Sequence, residues 1–300
     1  MQKSSRSGAE LGPARAMRRV RASRGTLAQP LRLSLALLLL CALPLCASLT
    51  GAVASVARAA TWQPGVRAAI AYAHTRAGEV SFAVRTADRE WGWRTTRTVP
   101  SASVLKAMLL VAYLDDPRVR NRALRLADDR LIDPMIERSD NEAATRVLQF
   151  VGARGVYGVA ERAHMRHFVL DPDIWGLSRI DAEDQARFFL HIDSHVVARH
   201  RAQAMHLLAS VVPSQRWGIG RLHLPGWQLY FKGGWGAGTG EVEHQSVLLR
   251  HGATRVALSV LITDSPSHAY AKQTLQGEFE RLLRGVGVLI APSAMPVARG

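Results

Sequence analysis

The stretch Pro100–Leu110 most constrains what this chain can fold into, because it places a serine and a lysine on one apolar helix. Leu105 and Met108 recur at helical spacing, so the helix is predicted to be buried. Ser103 and Lys106 are three residues apart and therefore share a face. A buried lysine costs free energy unless it is partnered or its pKa is depressed. A lysine with a depressed pKa beside a hydroxyl is suited to act as the base that turns the hydroxyl into a nucleophile.

Lysine is scarce in this chain, which draws attention to the positions where it occurs. Of 39 basic residues only Lys3, Lys106, Lys232 and Lys272 are lysines. Lysine differs from arginine in having a proton that can be lost and a compact charge. A lysine in a chain that otherwise uses arginine therefore indicates a position that needs one of these properties. The alternative is an ordinary solvated surface position, which fits Lys272 better than Lys106.

The net charge of +15 is unevenly distributed along the 300 residues. Residues 1–59 contain nine basic and one acidic residue, a net charge of +8, which leaves +7 for the rest of the chain. The remaining charges are scattered, without the clustered basic patch and interleaved aromatic residues typical of nucleic-acid binding. We therefore expect no nucleic-acid partner. The hydrophobic fraction of 48% is enough for a sizeable core.

The N-terminal segment 1–59 is predicted to be an export signal. Residues 33–57 carry no charge, and Ala57-Arg58-Ala59 has the form of a signal-peptidase site. The alternative is an uncleaved N-terminal anchor, which would be the protein's only attachment to a membrane. Either way the protein is expected outside the cytoplasm, extracellular or in the cell envelope. Because both cysteines, Cys41 and Cys46, lie in this segment, the processed chain is predicted to have neither a disulfide nor a cysteine nucleophile.

Strand and helix patterns alternate along the chain in a way that predicts an α+β fold. Strands are predicted over 79–86, 91–96, 226–231, 241–250 and 255–263. Helices are predicted over 64–76, 103–115, about 198–210 and 267–283. Further helices are predicted in the polar segments that follow residue 115 up to about 165, and in a segment that begins at a cap residue, Asp181. The strands lie at both ends and the helices in the middle, so we expect an antiparallel sheet of about five strands flanked by the terminal helices, plus an all-helical lobe.

The domain organisation follows from that pattern. Residues 60–300 are predicted to form one domain, with a sheet lobe at about 62–100 and 213–287 and a helical lobe at about 101–212. We expect the functional cleft between the two lobes and a monomeric protein.

Three short motifs follow one another in the chain. They are Ser103-Val104-Leu105-Lys106, Ser139-Asp140-Asn141 and Lys232-Gly233-Gly234. In this order and on these elements they resemble the motifs of class A β-lactamases and penicillin-binding proteins, the D,D-peptidase superfamily. Phe231-Lys232-Gly233-Gly234-Trp235, together with Gln215-Arg216-Trp217-Gly218, is similar to the exported serine hydrolase branch of that superfamily.

The resemblance implies a catalytic role for four side chains. Ser103 would be the nucleophile and Lys106 its base or proton relay. Ser139 would pass a proton to the leaving nitrogen, and Lys232 would supply positive charge for a substrate carboxylate and for Ser139. Acyl transfer needs these parts together with an oxyanion hole, which the backbone N–H groups of Ser103 and Trp235 would form.

The resemblance also implies four substrate-binding residues, which are Asn141, Gly234, Trp235 and Thr239. Asn141 would hold a substrate amide or orient Lys106. Gly233 stands where the family usually has a hydroxyl residue, and Thr239 is a nearby replacement for that hydroxyl. A tryptophan groove is a further expectation for Trp235, with strand packing as the alternative.

The loop 168–180 departs from the class A pattern because it contains no glutamate to activate the deacylating water. Asp171 and Asp173 are its only carboxylates. The expected function is a serine hydrolase that forms an acyl-Ser103 intermediate on β-lactams or related amides and esters. The alternatives are a D,D-peptidase or esterase of cell-wall peptides, and a penicillin-binding sensor protein without turnover.

No cofactor or metal is expected, and a small molecule or a peptide is the expected partner. His191 and His195 have the spacing of two metal ligands on one helix face. The sequence lacks the glutamate of the H-E-x-x-H motif there, which argues against a metal site.

Overall fold

The computed structural model describes residues 62–236 and 241–289. The predicted leader 1–59 and Thr239 lie outside the described residues. Within the described ranges, the structure contains no helix with the length and apolar character needed to cross a bilayer.

Seven α-helices and seven strands make up the described part of the chain. The helices are α1 (Val66–Ala73), α2 (Leu105–Asp115), α3 (Leu126–Glu137), α4 (Asn141–Arg162), α5 (Ala182–Leu190), α6 (Ala198–Ala209) and α7 (His268–Leu282). The strands are β1 (Glu79–Arg85), β2 (Glu90–Trp93), β3 (Val99–Pro100), β4 (Arg179–Ile180), β5 (Gln228–Gly236), β6 (Val242–His251) and β7 (Thr254–Thr263).

The predicted α+β fold with a five-stranded antiparallel sheet is confirmed. The strand order is β2-β1-β7-β6-β5, so strands from both ends of the sequence meet in the middle of the sheet. The central strand β7 is apolar on both faces because both are covered. Leu258 and Val260 pack with Phe279 of α7, whereas Ala257 and Leu261 belong to the core that α5 and the other middle helices share.

Helix α2 is the centre of the helical part, as the apolar stretch predicts. Every residue from Leu105 to Leu114 is buried. Helices α3 and α4 pack against α2, and α5 packs against β1 and β7. Helical geometry in α4 is interrupted at Gly152, whose φ of 65° and ψ of 173° break the backbone ladder.

Two features of the strands differ from the sequence prediction. Strand β2 ends at Trp93 rather than near Thr96, because Arg94 turns into the left-handed region with φ of 50°. Strand β5 continues past Phe231 to Gly236, since it stays paired with β6 as far as Val242. The longer β5 places Lys232 and Trp235 within the sheet.

A short β3–β4 ladder, which the sequence did not predict, joins the entry of α2 to the loop 168–180. Val99 pairs with Ile180 and Pro100 with Arg179. Ser101 N–H also donates to the carbonyl of Ser178 over 2.7 Å. The loop is thereby fixed beside the N-terminus of the serine-bearing helix.

The prediction that His191 and His195 lie on one helix is wrong. Helix α5 ends at Leu190, and His191 is its C-terminal cap. His195 lies in the following turn and stacks on Phe188, so the pair does not form a ligand-presenting helix face.

Candidate active site

Ser103 lies in a short 3₁₀ turn, Ala102–Val104, that leads directly into α2. The residue is 8% exposed, and its Oγ makes no hydrogen bond to any described residue. Behind this turn, the Nε2 of buried His244 lies 2.9 Å from the carbonyl of Pro100, while its Nδ1 accepts the N–H of Ile262. A neutral imidazole satisfies both bonds, and burial lowers the pKa of His244 to about 4. His244 therefore braces the turn that presents the serine hydroxyl to the cleft.

Lys106 is fully buried one turn further along α2. Its Nζ donates to the carbonyl of Ser139 at 2.5 Å, to Ser139 Oγ at 3.2 Å and to Asn141 Oδ1 at 2.7 Å. Burial lowers the pKa of Lys106 to about 7, against a smaller opposing effect of the Asp140 carboxylate. A substantial fraction of this amine is therefore uncharged near neutral pH.

Lys232 reaches the same serine from the opposite side. Its Nζ, on β5, lies 3.0 Å from Ser139 Oγ and 2.8 Å from the carbonyl of Gly233. Burial, reinforced by the charge of Lys106, holds the pKa of Lys232 well below its ordinary value. The Ser139 hydroxyl thus bridges two amines, and burial favours the uncharged form of both.

Ser139 adopts a left-handed backbone conformation with φ of 58° between α3 and α4. This region disfavours side chains with a Cβ, and such strain is common at functional sites. The Asp140 side chain accepts the N–H of Ala143 and begins α4, which makes the turn sharp. Asp140 therefore caps α4, while the side chain of Ser139 faces the lysines.

Replacing Ser139 by glycine or by alanine is expected to separate backbone strain from the loss of the hydroxyl. Both changes remove the bridge between the lysines, but only glycine adopts the left-handed conformation without strain. Ser139→Gly should therefore be about 1 kcal/mol more stable to unfolding than Ser139→Ala. Urea unfolding of the two variants under identical conditions measures the difference, and equal stabilities would contradict the strained conformation.

The two glycines after Lys232 are each explained by a close neighbour. A Cβ on Gly234 would lie 2.8 Å from the backbone nitrogens of Ser103 and Val104, so glycine lets the strand approach the serine turn. A Cβ on Gly233 would lie 3.0 Å from Cη2 of Trp217. A side chain with the hydroxyl that the family usually carries at this position would therefore crowd the indole of Trp217.

Gln245 fixes Trp217 in that place. Its Nε2 donates to the carbonyl of Trp217 over 2.8 Å, and its Oε1 accepts the N–H of Ile219 over 3.0 Å. Sequence reasoning missed both Gln245 and its neighbour His244. The available signal was the run of polar residues Glu243–Ser246 within a strand that is buried throughout this run.

The cleft in front of Ser103 has a volume of about 660 Å³. Ser103, Asn141 and Trp235 line it, together with residues of α4 and of the loop 168–180. The four predicted catalytic residues and the predicted binding residues Asn141, Gly234 and Trp235 are therefore brought together, whereas Thr239 lies outside the described residues.

The loop 168–180 presents an indole to Lys106 rather than a carboxylate. The ring centre of Trp175 lies 4.9 Å from Lys106 Nζ, and Trp175 Nε1 donates to Thr145 Oγ1 over 3.1 Å. Asp171 Oδ1 accepts the backbone N–H groups of Asp173 and Ile174, so this carboxylate stabilises the loop itself. Asp173 lines the cleft. No carboxylate among the described residues contacts Lys106.

The base of this loop is closed by a cluster that sequence analysis recognised only as a helix cap. Asp181 Oδ1 accepts the N–H of Asp184, which confirms the predicted cap, and its Oδ2 lies 2.6 Å from Nδ1 of His167. Burial raises the pKa of Asp181 to about 6. Asp184 Oδ2 accepts the N–H groups of Arg166 and His167. His167 Nδ1 and Asp181 Oδ2 lie at ion-pair distance, but both are buried without a hydrogen bond to any described residue.

Comparison with known proteins identifies the family of the chain and supports its fold. A family model described as the beta-lactamase enzyme family matches residues 122–279, which is more than half of the chain and includes the Ser139 and Lys232 motifs. The chain therefore belongs to the beta-lactamase enzyme family, and the resemblance predicted from its motifs is confirmed. A search of curated proteins gave no match.

Solved structures of β-lactamases share the fold. A β-lactamase from Sphaerobacter thermophilus is 19% identical, with 76% of this chain and 98% of that chain covered and a TM-score of 0.65. An ancestral class A β-lactamase is 17% identical, with 74% and 99% covered and a TM-score of 0.61. A β-lactamase from Xanthomonas campestris pv. campestris is 15% identical, with 73% and 97% covered and a TM-score of 0.63. At these identities the likeness shows the fold alone.

Proposed function

We propose that this protein is a serine hydrolase that cleaves an amide or ester through an acyl-Ser103 intermediate. The observation that carries the proposal is the Ser139 hydroxyl, which lies 3.2 Å from the amine of Lys106 and 3.0 Å from that of Lys232. This arrangement supplies a base and a proton relay one helical turn from Ser103, whose own hydroxyl makes no hydrogen bond to any described residue.

The proposed acylation moves one proton from the nucleophile to the leaving group. The neutral amine of Lys106 takes the proton of Ser103 Oγ as the bond from Oγ to the substrate carbonyl carbon forms. The bond from that carbon to the leaving nitrogen or oxygen then breaks. The leaving atom takes the proton of Ser139 Oγ, and the Lys106 ammonium returns a proton to Ser139. Lys106 ends neutral, and Ser103 carries the acyl group.

β-Lactams and cell-wall peptides are the default substrates under this proposal, as the family and its fold suggest. The position of Trp175 favours a protein in which acylation is faster than deacylation. Its indole covers Lys106, so this amine is shielded from the water that would have to be activated for deacylation. A penicillin-binding protein with slow turnover is therefore the second candidate function.

Intact-mass spectrometry of the protein incubated with benzylpenicillin tests the proposal. A mass increase equal to one penicillin, mapped to Ser103 by peptide analysis, is the expected result. An adduct that persists for hours supports the penicillin-binding candidate, whereas an adduct that disappears while penicilloate accumulates supports a β-lactamase. An adduct on any residue other than Ser103 would overturn the acyl-Ser103 mechanism.

A further inference from the structure

A second pocket lies against Trp235, which also lines the cleft of Ser103. Its volume is about 260 Å³, and its polar lining comes from Glu241, Glu243, Ser267 and His268. Because one indole borders both spaces, a substrate in the cleft is within reach of this pocket.

Glu243 forms the buried acidic group of the pocket. The residue is 1% exposed, one of its carboxyl oxygens is hydrogen-bonded to Nδ1 of His268, and Oε1 is buried without a partner among the described residues. Burial raises the pKa of Glu243 to about 9, and burial together with Lys272 lowers the pKa of His268. We therefore describe the pair as a hydrogen bond between neutral groups, and a cation bound beside Glu243 would favour the charged form of this carboxyl group.

The pocket is lined by the aromatic rings of Trp235 and His268, and Trp217 packs against both rings without lining the pocket itself. The ring centre of Trp217 lies 5.8 Å from that of Trp235 and 5.9 Å from that of His268, and Trp235 and His268 are 6.0 Å apart. Indole faces attract cations, most strongly where water is excluded. The rings of Trp235 and His268, together with one unpartnered carboxyl oxygen, are the chemistry that recognises an ammonium group.

The described residues that line the pocket include two glutamates and neither lysine nor arginine, and Lys272 is not among them. Glu241 and Glu243 both line the pocket. Lys272 of α7 is the cation whose charge acts on Glu243, and it forms no ion pair with any described residue. A substrate carboxylate placed here would meet two acidic side chains, whereas a substrate cation would satisfy the unpartnered oxygen.

We propose that the pocket formed by Trp235, Glu243 and His268 binds an ammonium group of the substrate. This inference rests on the proposed acyl transfer at Ser103 for its substrate, and it narrows that substrate to amides or esters that carry a cationic amine. The ammonium would donate to Glu243 and contact the ring of Trp235.

Binding of n-butylammonium, n-butanol and butyrate to the protein, measured by ligand-observed NMR titration, tests the pocket without requiring catalysis. Butylammonium is expected to bind more tightly than the other two probes. Glu243→Gln keeps the size of the side chain and should weaken butylammonium binding about tenfold, because a charge-assisted hydrogen bond is lost. Glu280→Gln, at an exposed position of α7, is the charge-matched control and should bind like the original protein.

Equal binding of butylammonium to Glu243→Gln and to the original protein would overturn the proposal, as would tighter binding of butyrate than of butylammonium. The second outcome needs no variant, so the test holds even if Glu243→Gln fails to fold.

Two matched ester pairs connect the pocket to turnover. Para-nitrophenyl ε-aminocaproate is compared with para-nitrophenyl caproate, and acetylcholine with its uncharged carbon isostere. At least one cationic ester should have a kcat/KM about tenfold above its neutral match, and Glu243→Gln should remove the preference. Hydrolysis of all four esters without any preference would overturn the ammonium site and leave the acyl-transfer proposal standing. If no ester or penicillin labels Ser103, the proposed function fails, and the NMR titration still decides whether the pocket binds ammonium.

Discussion

Ser103→Ala is expected to retain the fold and to lose both covalent labelling and hydrolysis. Removing the nucleophile of an acyl-transfer site that acts as a unit lowers turnover by on the order of 10⁴-fold or more. The substitution deletes one oxygen that makes no hydrogen bond to any described residue, so we expect little change in stability. Initial rates with a reactive ester and intact-mass spectra with a penicillin measure the effect.

Ser81→Ala is the matched control for this experiment. Ser81 is a fully buried serine on β1, and its Oγ has no hydrogen-bond partner among the described residues. The control variant should therefore label and hydrolyse like the original protein. Substantial activity in folded Ser103→Ala would contradict the proposed nucleophile and direct attention to Ser139, whose Oγ lies within hydrogen-bond distance of two lysine amines.

Lys106→Arg is expected to lower the acylation rate by about 10³-fold, although it preserves a basic side chain at the position. Arginine stays protonated at any pH at which the protein is folded, so it takes no proton from Ser103. The measurement is the rate of adduct formation, followed by mass spectrometry, with circular dichroism to establish that the variant is folded.

The pH dependence of the unaltered protein tests the same role without any substitution. Burial lowers the pKa of Lys106 to about 7, so the fraction of free amine grows with pH below that value and saturates above it. The acylation rate should rise about tenfold per pH unit below pH 7 and level off above it. A rate that is constant from pH 5 to about pH 8 would contradict a Lys106 base.

The sequence predicted the parts of the site that local motifs encode. Ser103 and Lys106 share a helix face, and the apolar residues around them require that face to be buried, so the depressed pKa of the lysine follows from neighbours within one turn. The convergence of Ser139 and Lys232 on that helix was accessible through the order of the three motifs. Its physical basis, a left-handed serine between two helices, was not visible in the sequence.

The parts that could not be predicted depend on contacts between residues far apart in the chain. Trp217 fills the space above Gly233, and Gln245 holds it there through two backbone groups. Trp175 covers Lys106 because the β3–β4 ladder fixes the loop 168–180 beside the serine turn. Period and propensity describe neighbours in sequence, so they carry no information on such packing. The absence of a hydroxyl at Gly233 is visible in the sequence, whereas the contact of Trp217 with this position is not.

Because Trp217 packs over Gly233, the substitutions tolerated at these two positions depend on each other. A Cβ at residue 233 meets the indole at 3.0 Å, so threonine at that position requires a smaller or displaced residue at 217. A smaller residue at 217 alone leaves a void above the strand and releases the segment that Gln245 holds. We therefore expect either single change to lower stability, the first by crowding the indole and the second by leaving a void. One form of the strand has glycine at 233 under Trp217, and the other has a hydroxyl residue at 233 with a smaller residue at 217. We expect that exchanging one form for the other by directed evolution requires both positions to be varied in the same library.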